Sequence, residues 1–194
     1  GHTLNSRPGV FAYRAAPVQI NYLGFPATMG SEVIDYIIGD PVVIPIGYEK
    51  YYSEKILRLP NTYMPTDNTR AISTHLISRS EMGLPESGFV FCCFNNNYKI
   101  SPREFDIWMR VLLQVEESVL WLRSSNTFSE NNLRSQAANR GVAPCRLIFA
   151  ARVPMDEHLA RHKMADLFVD TFNYNAHTTA SEALWAGLPV VTKA

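Results

Sequence analysis

Three polar clusters in this sequence have residue types suited to holding an anion. In the first, His177, Thr178 and Thr179 precede Ala180-Ser181-Glu182-Ala183-Leu184-Trp185-Ala186 and then Gly187-Leu188-Pro189. Leu167–Val169 is an apolar run ending at Asp170, and Asn173 to Asn175 supply turn chemistry. Thr179 and Glu182 have the spacing of a capping box. Gly187 stops the helix, Pro189 forbids its continuation, and Val190-Val191 begins a strand. The segment therefore reads as strand end, loop, short helix and next strand, with residues 177–179 at the helix N-terminus. Free backbone N–H groups and the positive dipole end favour an anion there, and two hydroxyls and an imidazole add donors. A phosphate or pyrophosphate fits this chemistry. An ordinary capped helix has the same local pattern and is the commoner case.

The other two clusters are weaker when taken alone. Phe94-Asn95-Asn96-Asn97-Tyr98-Lys99 follows an apolar run, and a lone loop lysine is normally a solvated charge. Arg152-Val153-Pro154-Met155-Asp156-Glu157-His158-Leu159-Ala160-Arg161 places His158 and Arg161 three apart on one helical face. Scattered charges on a surface helix would look similar. There is no acidic pair at metal-ligand spacing and no Asp-x-Asp. His2, His75 and His162 have no partner visible in sequence and receive no role.

These clusters need a scaffold, and from Gly88 a regular alternation supplies one. Strands are expected at Phe89 to Phe94, Val119 to Leu122, Arg146 to Phe149 and Leu167 to Val169. Helices are expected at Pro102 to Val115, Glu130 to Arg140 and Met155 to Lys163. Such alternation implies an α/β fold with a parallel sheet covered on both faces. Ligands of such sheets bind beyond the carboxyl ends of the strands, where all three clusters fall. The first part is less regular. It begins with a polar loop from Gly1 to Pro8 and a short helix from Gly9 to Arg14. Strands follow at Val18 to Leu23 and Tyr36 to Asp40, then proline-rich irregular chain from Pro41 to Pro65 with a turn near Tyr48 to Tyr52. Polar residues 66 to 86 are the expected connection between two lobes.

Composition narrows the class. The chain has 194 residues, 46% hydrophobic and 19% charged, with Lys plus Arg equal to Asp plus Glu at 18 each. A balanced charge gives no bulk attraction to nucleic acid or an anionic membrane. No apolar run approaches the roughly 20 residues of a spanning helix, and no signal-peptide pattern opens the chain. Cys92, Cys93 and Cys145 show no zinc-ligand spacing and read as reduced, buried thiols of a cytoplasmic protein. A start without methionine and a stop just after a strand read as a fragment of a longer polypeptide.

The stretch Asp170-Thr171 … Ala176-His177-Thr178-Thr179 … Leu184-Trp185-Ala186-Gly187-Leu188-Pro189-Val190-Val191-Thr192 resembles the nucleotide-binding stretch of the O-linked N-acetylglucosamine transferases and their SPINDLY-type relatives. These are glycosyltransferases of GT-B architecture, and Ala176 stands where the family pattern has glycine. Phe91 to Lys99 carries the same resemblance. It implies a GT-B-like, Rossmann-type nucleotide-sugar lobe over residues 79–194, truncated at its C-terminal end. Residues 1–78 would be the C-terminal part of an acceptor-side lobe. The implied reaction is inverting transfer of N-acetylglucosamine from UDP-GlcNAc to Ser or Thr hydroxyls of proteins.

By the resemblance, Lys99 is catalytic and stabilises the leaving diphosphate. Asn96, Pro154, Met155, His158, Arg161, His177, Thr178, Thr179 and Glu182 bind the donor nucleotide, with Met155 departing from the lysine of some members. Arg7, Gly24, Pro26 and Thr28 match cleft positions of the first lobe. No metal or other cofactor is implied, since a lysine and a helix dipole replace a divalent ion. The implied partners are the nucleotide-sugar donor and a protein or peptide acceptor, with no nucleic acid and no membrane. Two alternatives stay open: fucose transfer from GDP-fucose, and a non-catalytic nucleotide-binding or protein-interaction module.

Overall fold

A computed structural model describes residues 2, 5–75 and 77–193; Gly1, Thr3 and Leu4 of the expected opening loop lie outside the described residues. The chain divides into two units, residues 1–67 and 68–194. The break falls earlier than the expected 78/79 boundary because residues 70–73 are bonded into the second unit. Ser73 N donates to Asp156 O (3.1 Å), and Trp185 Nε1 donates to Arg70 O (3.2 Å).

The first unit holds a three-stranded parallel sheet of β1 (Ile20–Asn21), β2 (Tyr36–Gly39) and β3 (Lys55–Arg58), in the order β1-β2-β3. β3 lies inside the stretch expected to be irregular. Its register with β2, Tyr36 opposite Lys55 through Gly39 opposite Arg58, is a tertiary pairing, and its charged ends and flanking prolines hide it from pattern reading. β1 is shorter than expected. On one side, Gln19 Nε2 is drawn to Phe11 O (2.9 Å) and Val33 O (2.6 Å). On the other, Leu23 takes a left-handed φ of 51°.

The second unit follows the expected alternation. Its strands are β4 (Val90–Cys93), β5 (Val119–Arg123), β6 (Leu147–Ala150), β7 (Leu167–Val169) and β8 (Val190–Val191). All pair in parallel, in the order β6-β5-β4-β7-β8. Helices α1 (Pro102–Gln114), α2 (Thr127–Ala138), α3 (Met155–Arg161) and α4 (Thr178–Trp185) connect them. β4 is buried at every position, as a central parallel strand must be. Against the sheet, α1 buries Phe105, Trp108, Met109 and Leu112. Trp121 and Phe168 are fully enclosed, each worth about 1.5–3 kcal/mol of burial. Gly88 leads into β4 at φ 97°, with the backbone oxygen of Glu117 where a Cβ would stand.

Capping differs from expectation at two helices. α2 starts at Thr127, three residues early, because the Asn126 side chain accepts from Ser129 N at 2.9 Å. The capping box forms on α1, where Ser101 N donates to Glu104 Oε1 at 2.7 Å. It does not form between Thr179 and Glu182. His177 is the cap residue of α4 and makes no side-chain cap bond, so Thr179 lies inside the first turn and Glu182 turns inward. The thiols also divide: Cys92 and Cys93 are buried, but Cys145 is exposed on the turn before β6. Burial pushes the Cys93 thiol up to about 12.

Candidate donor site

In the second unit the chain lays β5 and β6 to one side of β4, and β7 and β8 to the other. The topological switch point therefore lies between β4 and β7, where open α/β sheets bind ligands. A cleft of about 670 Å³ opens at these strand ends. Among the residues expected from sequence, Asn96, Lys99, Pro154, Met155, His158, Arg161, Thr179 and Glu182 line it. His177 and Thr178 are not in its wall, but lie next to it at the start of α4.

Lys99 ends a turn of 3-10 helix, Asn97–Lys99, whose start is the extended Asn96. Its ammonium stands 3.9 Å from the centroid of the Tyr174 ring, an attractive arrangement. That ring stacks on His177 at 6.0 Å and 16°. The loop after β4 thus brings its cation beside the N-terminus of α4. There the N–H groups of residues 178–180 precede the first intrahelical bond, from Ser181 N to His177 O. Burial lowers the Lys99 pKa from its ordinary value, with Asp170 and Cys93 acting the other way.

The opposite wall is a polar relay. Arg161 is only 4% exposed. It donates to Ala151 O (2.6 Å) and to His158 Nδ1 (2.6 Å), and lies 4.6 Å over the Phe94 ring. A guanidinium has donors only, so His158 Nδ1 must accept and Nε2 carries the ring proton. Nε2 faces Glu182 Oε2 at 3.4 Å, and Glu182 Oε1 faces Arg70 at 3.4 Å. Burial works against ionising Glu182, but His158 and Arg70 outweigh it and hold the carboxyl below its ordinary value. Burial also pulls Arg161 down to about 10. A surface helix with scattered charges is therefore not what α3 is.

Of the four first-unit residues, Thr28 and Pro26 make hydrogen bonds within their own unit. Thr28 Oγ1 donates to Glu54 Oε2 (2.6 Å) and accepts from Ser53 N (3.2 Å). Pro26 O accepts from Tyr52 OH (2.8 Å). Gly24 is exposed in the same loop, and Arg7 is exposed ahead of the 3-10 helix Pro8–Tyr13.

Sequence reasoning passed over three arginines. Arg123 ends β5 and Arg152 follows β6, and both line the cleft; their places at strand ends were the available signal. Arg70 had none, being 112 residues from its carboxylate partner.

The sequence matches the profile of glycosyl transferase family 41 over residues 1–80 and 68–194. The chain belongs to this family. Similar proteins include a probable UDP-N-acetylglucosamine–peptide N-acetylglucosaminyltransferase SEC of Arabidopsis thaliana, 39% identical over 99% of this chain. The corresponding SPINDLY protein of Petunia hybrida is 31% identical over 99% of it. The chain spans 20% and 21% of the lengths of these two proteins. Among solved structures, a mutant of the Thermobaculum terrenum O-GlcNAc transferase superposes with a TM-score of 0.79 at 32% identity. That match covers 94% of this chain and 34% of the other. The fold is thus the α/β, GT-B-like architecture expected. No helix among the described residues is long and apolar enough to cross a membrane.

Proposed function

We propose that this chain carries the nucleotide-sugar donor site of a protein O-GlcNAc transferase. The reaction moves N-acetylglucosamine from UDP-GlcNAc to a Ser or Thr hydroxyl of a protein or peptide, in the cytoplasm. The observation that carries the reading is the meeting of Lys99, through Tyr174, with the His177 end of α4 at the switch point. In this reaction the acceptor hydroxyl gives up its proton to a base as its oxygen bonds to the anomeric carbon from the face opposite the diphosphate, inverting it, and UDP leaves with the bonding electron pair. Negative charge grows on the diphosphate as that bond breaks. A fixed cation and oriented N–H groups stabilise it most in the transition state. Lys99 and the N-terminus of α4 take this role, without a divalent ion. Asn96, Pro154, Met155, His158, Arg161 and Glu182 form the wall toward the nucleoside, with Arg161 holding His158 rather than reaching the ligand. Arg7, Gly24, Pro26 and Thr28 belong to the acceptor-side unit.

Titration calorimetry with UDP and with GDP, each with and without EDTA, tests this. UDP is expected to bind at millimolar concentration or below, undisturbed by EDTA. Binding of GDP alone would reassign the donor to GDP-fucose. Binding of neither would refute a nucleotide lobe.

A further inference from the structure

We propose that Asn95 is a positioning residue that latches the Lys99 loop to the first turn of α4 and dictates where the Thr179 hydroxyl sends its proton. The inference rests on the donor site proposed above. Asn95 follows Phe94 beyond the end of β4 and is 2% exposed. Its Nδ2 donates to Asp170 Oδ1 (2.9 Å) and to Thr171 Oγ1 (2.9 Å), and its Oδ1 accepts from Thr179 Oγ1 (2.6 Å). One amide therefore ties the ends of the neighbouring strands β4 and β7 to α4, across the switch point.

The direction of every proton in this network follows from its neighbours. Asp170 Oδ1 also takes the N–H groups of Thr171 (2.7 Å) and Ala176 (2.8 Å), so it acts as an acceptor. Thr171 spends its own hydroxyl proton on Tyr174 O (2.7 Å), so toward Asn95 it too can only accept. A flipped amide would set its oxygen against two acceptors. The amide oxygen must therefore face Thr179, and Thr179 must be the donor. Its single proton is committed inward. Toward a diphosphate, Thr179 offers its backbone N–H and not its hydroxyl proton, unlike the expectation that both hydroxyls would donate.

The test uses Asn95→Ala, Asn95→Asp and Thr179→Val, the last two close in shape to the original side chains. Affinity for UDP is measured by calorimetry between about pH 8 and 5, alongside unfolding followed by tryptophan fluorescence. Asn95→Ala is expected to weaken UDP binding about tenfold. The double variant Asn95→Ala/Thr179→Val should be no weaker than Asn95→Ala, because both changes open one latch. Asn95→Asp should bind poorly near pH 8 and recover relative to the wild type as the pH falls, since a protonated carboxyl restores the donor toward Asp170. A merely structural residue would lower stability without imposing that pH dependence. Affinities within about twofold of wild type throughout would overturn the latch, as would losses that add in the double variant. If Asn95→Ala does not fold, the other two variants decide by the same criteria. A wild-type chain that fails to bind UDP overturns the donor reading and this inference with it. A wild type that binds while the variants are indifferent overturns this inference alone.

Discussion

Replacing Arg161 by alanine is expected to destabilise the second unit by about 3 kcal/mol. The guanidinium makes two hydrogen bonds, to Ala151 O and His158 Nδ1, both at 2.6 Å. Bonds from a charged donor are worth about 1.5–3 kcal/mol each. Its place over Phe94 at 4.6 Å adds about 1–2 kcal/mol when desolvated. Against this stands the cost of burying the charge. The burial that pulls its pKa from 12.5 to about 10 corresponds to ~3 kcal/mol, returned when the charge is removed. Urea unfolding followed by tryptophan fluorescence isolates the effect, because Trp108, Trp121 and Trp185 all lie in the second unit. A loss below about 1 kcal/mol would refute the reasoning and place Arg161 among buried charges whose desolvation cancels their contacts. A second readout is the His158 tautomer. The wild-type ring should carry its proton on Nε2 by NMR, and the variant should lose that single state.

Other outcomes follow from the same geometry. Lys99→Ala in the complete catalytic polypeptide should lower kcat more than it raises KM for UDP-GlcNAc; a rise in KM alone would make Lys99 a binding residue only. His162 is buried and its pKa is pulled down from 6.5 to about 4. The unfolded chain therefore takes up a proton that the folded chain refuses, and stability should fall as pH drops from about 6.5 toward 4, by up to ~3 kcal/mol. His162→Gln should flatten that part of the stability profile if His162 is its source. Gly88→Ala should cost about 2 kcal/mol or more, from its left-handed φ and the blocked Cβ position; an unchanged urea midpoint would show that the Glu117 turn simply moves.

The order of strands and helices in the second unit was legible because each element declares itself locally. β4 and β7 are apolar runs, α1 has an amphipathic period, and Gly187-Leu188-Pro189 punctuates α4. The polar clusters at strand ends were legible for the same reason, since a parallel sheet sends all its carboxyl ends one way. β3 was not, because its two charged ends carry no strand pattern and its pairing partner lies elsewhere in the chain. The capping box was placed on the wrong helix. Spacing alone cannot tell a carboxylate that turns back to the cap, as Glu104 does, from one drawn inward by Arg70 and His158, as Glu182 is.

By itself, the sequence determined the α/β class of this chain, its family and the stretches that face the switch point. Only the tertiary structure decided which of those side chains are free to meet a ligand. Arg161 donates to His158 Nδ1, and Thr179 Oγ1 donates to Asn95 Oδ1. The Thr179 assignment depends on where donors and acceptors meet across 84 residues of chain, and the Arg70–Glu182 pair across 112. Local periodicity carries no information at that range, because a hydrogen bond is set by distance and direction in space.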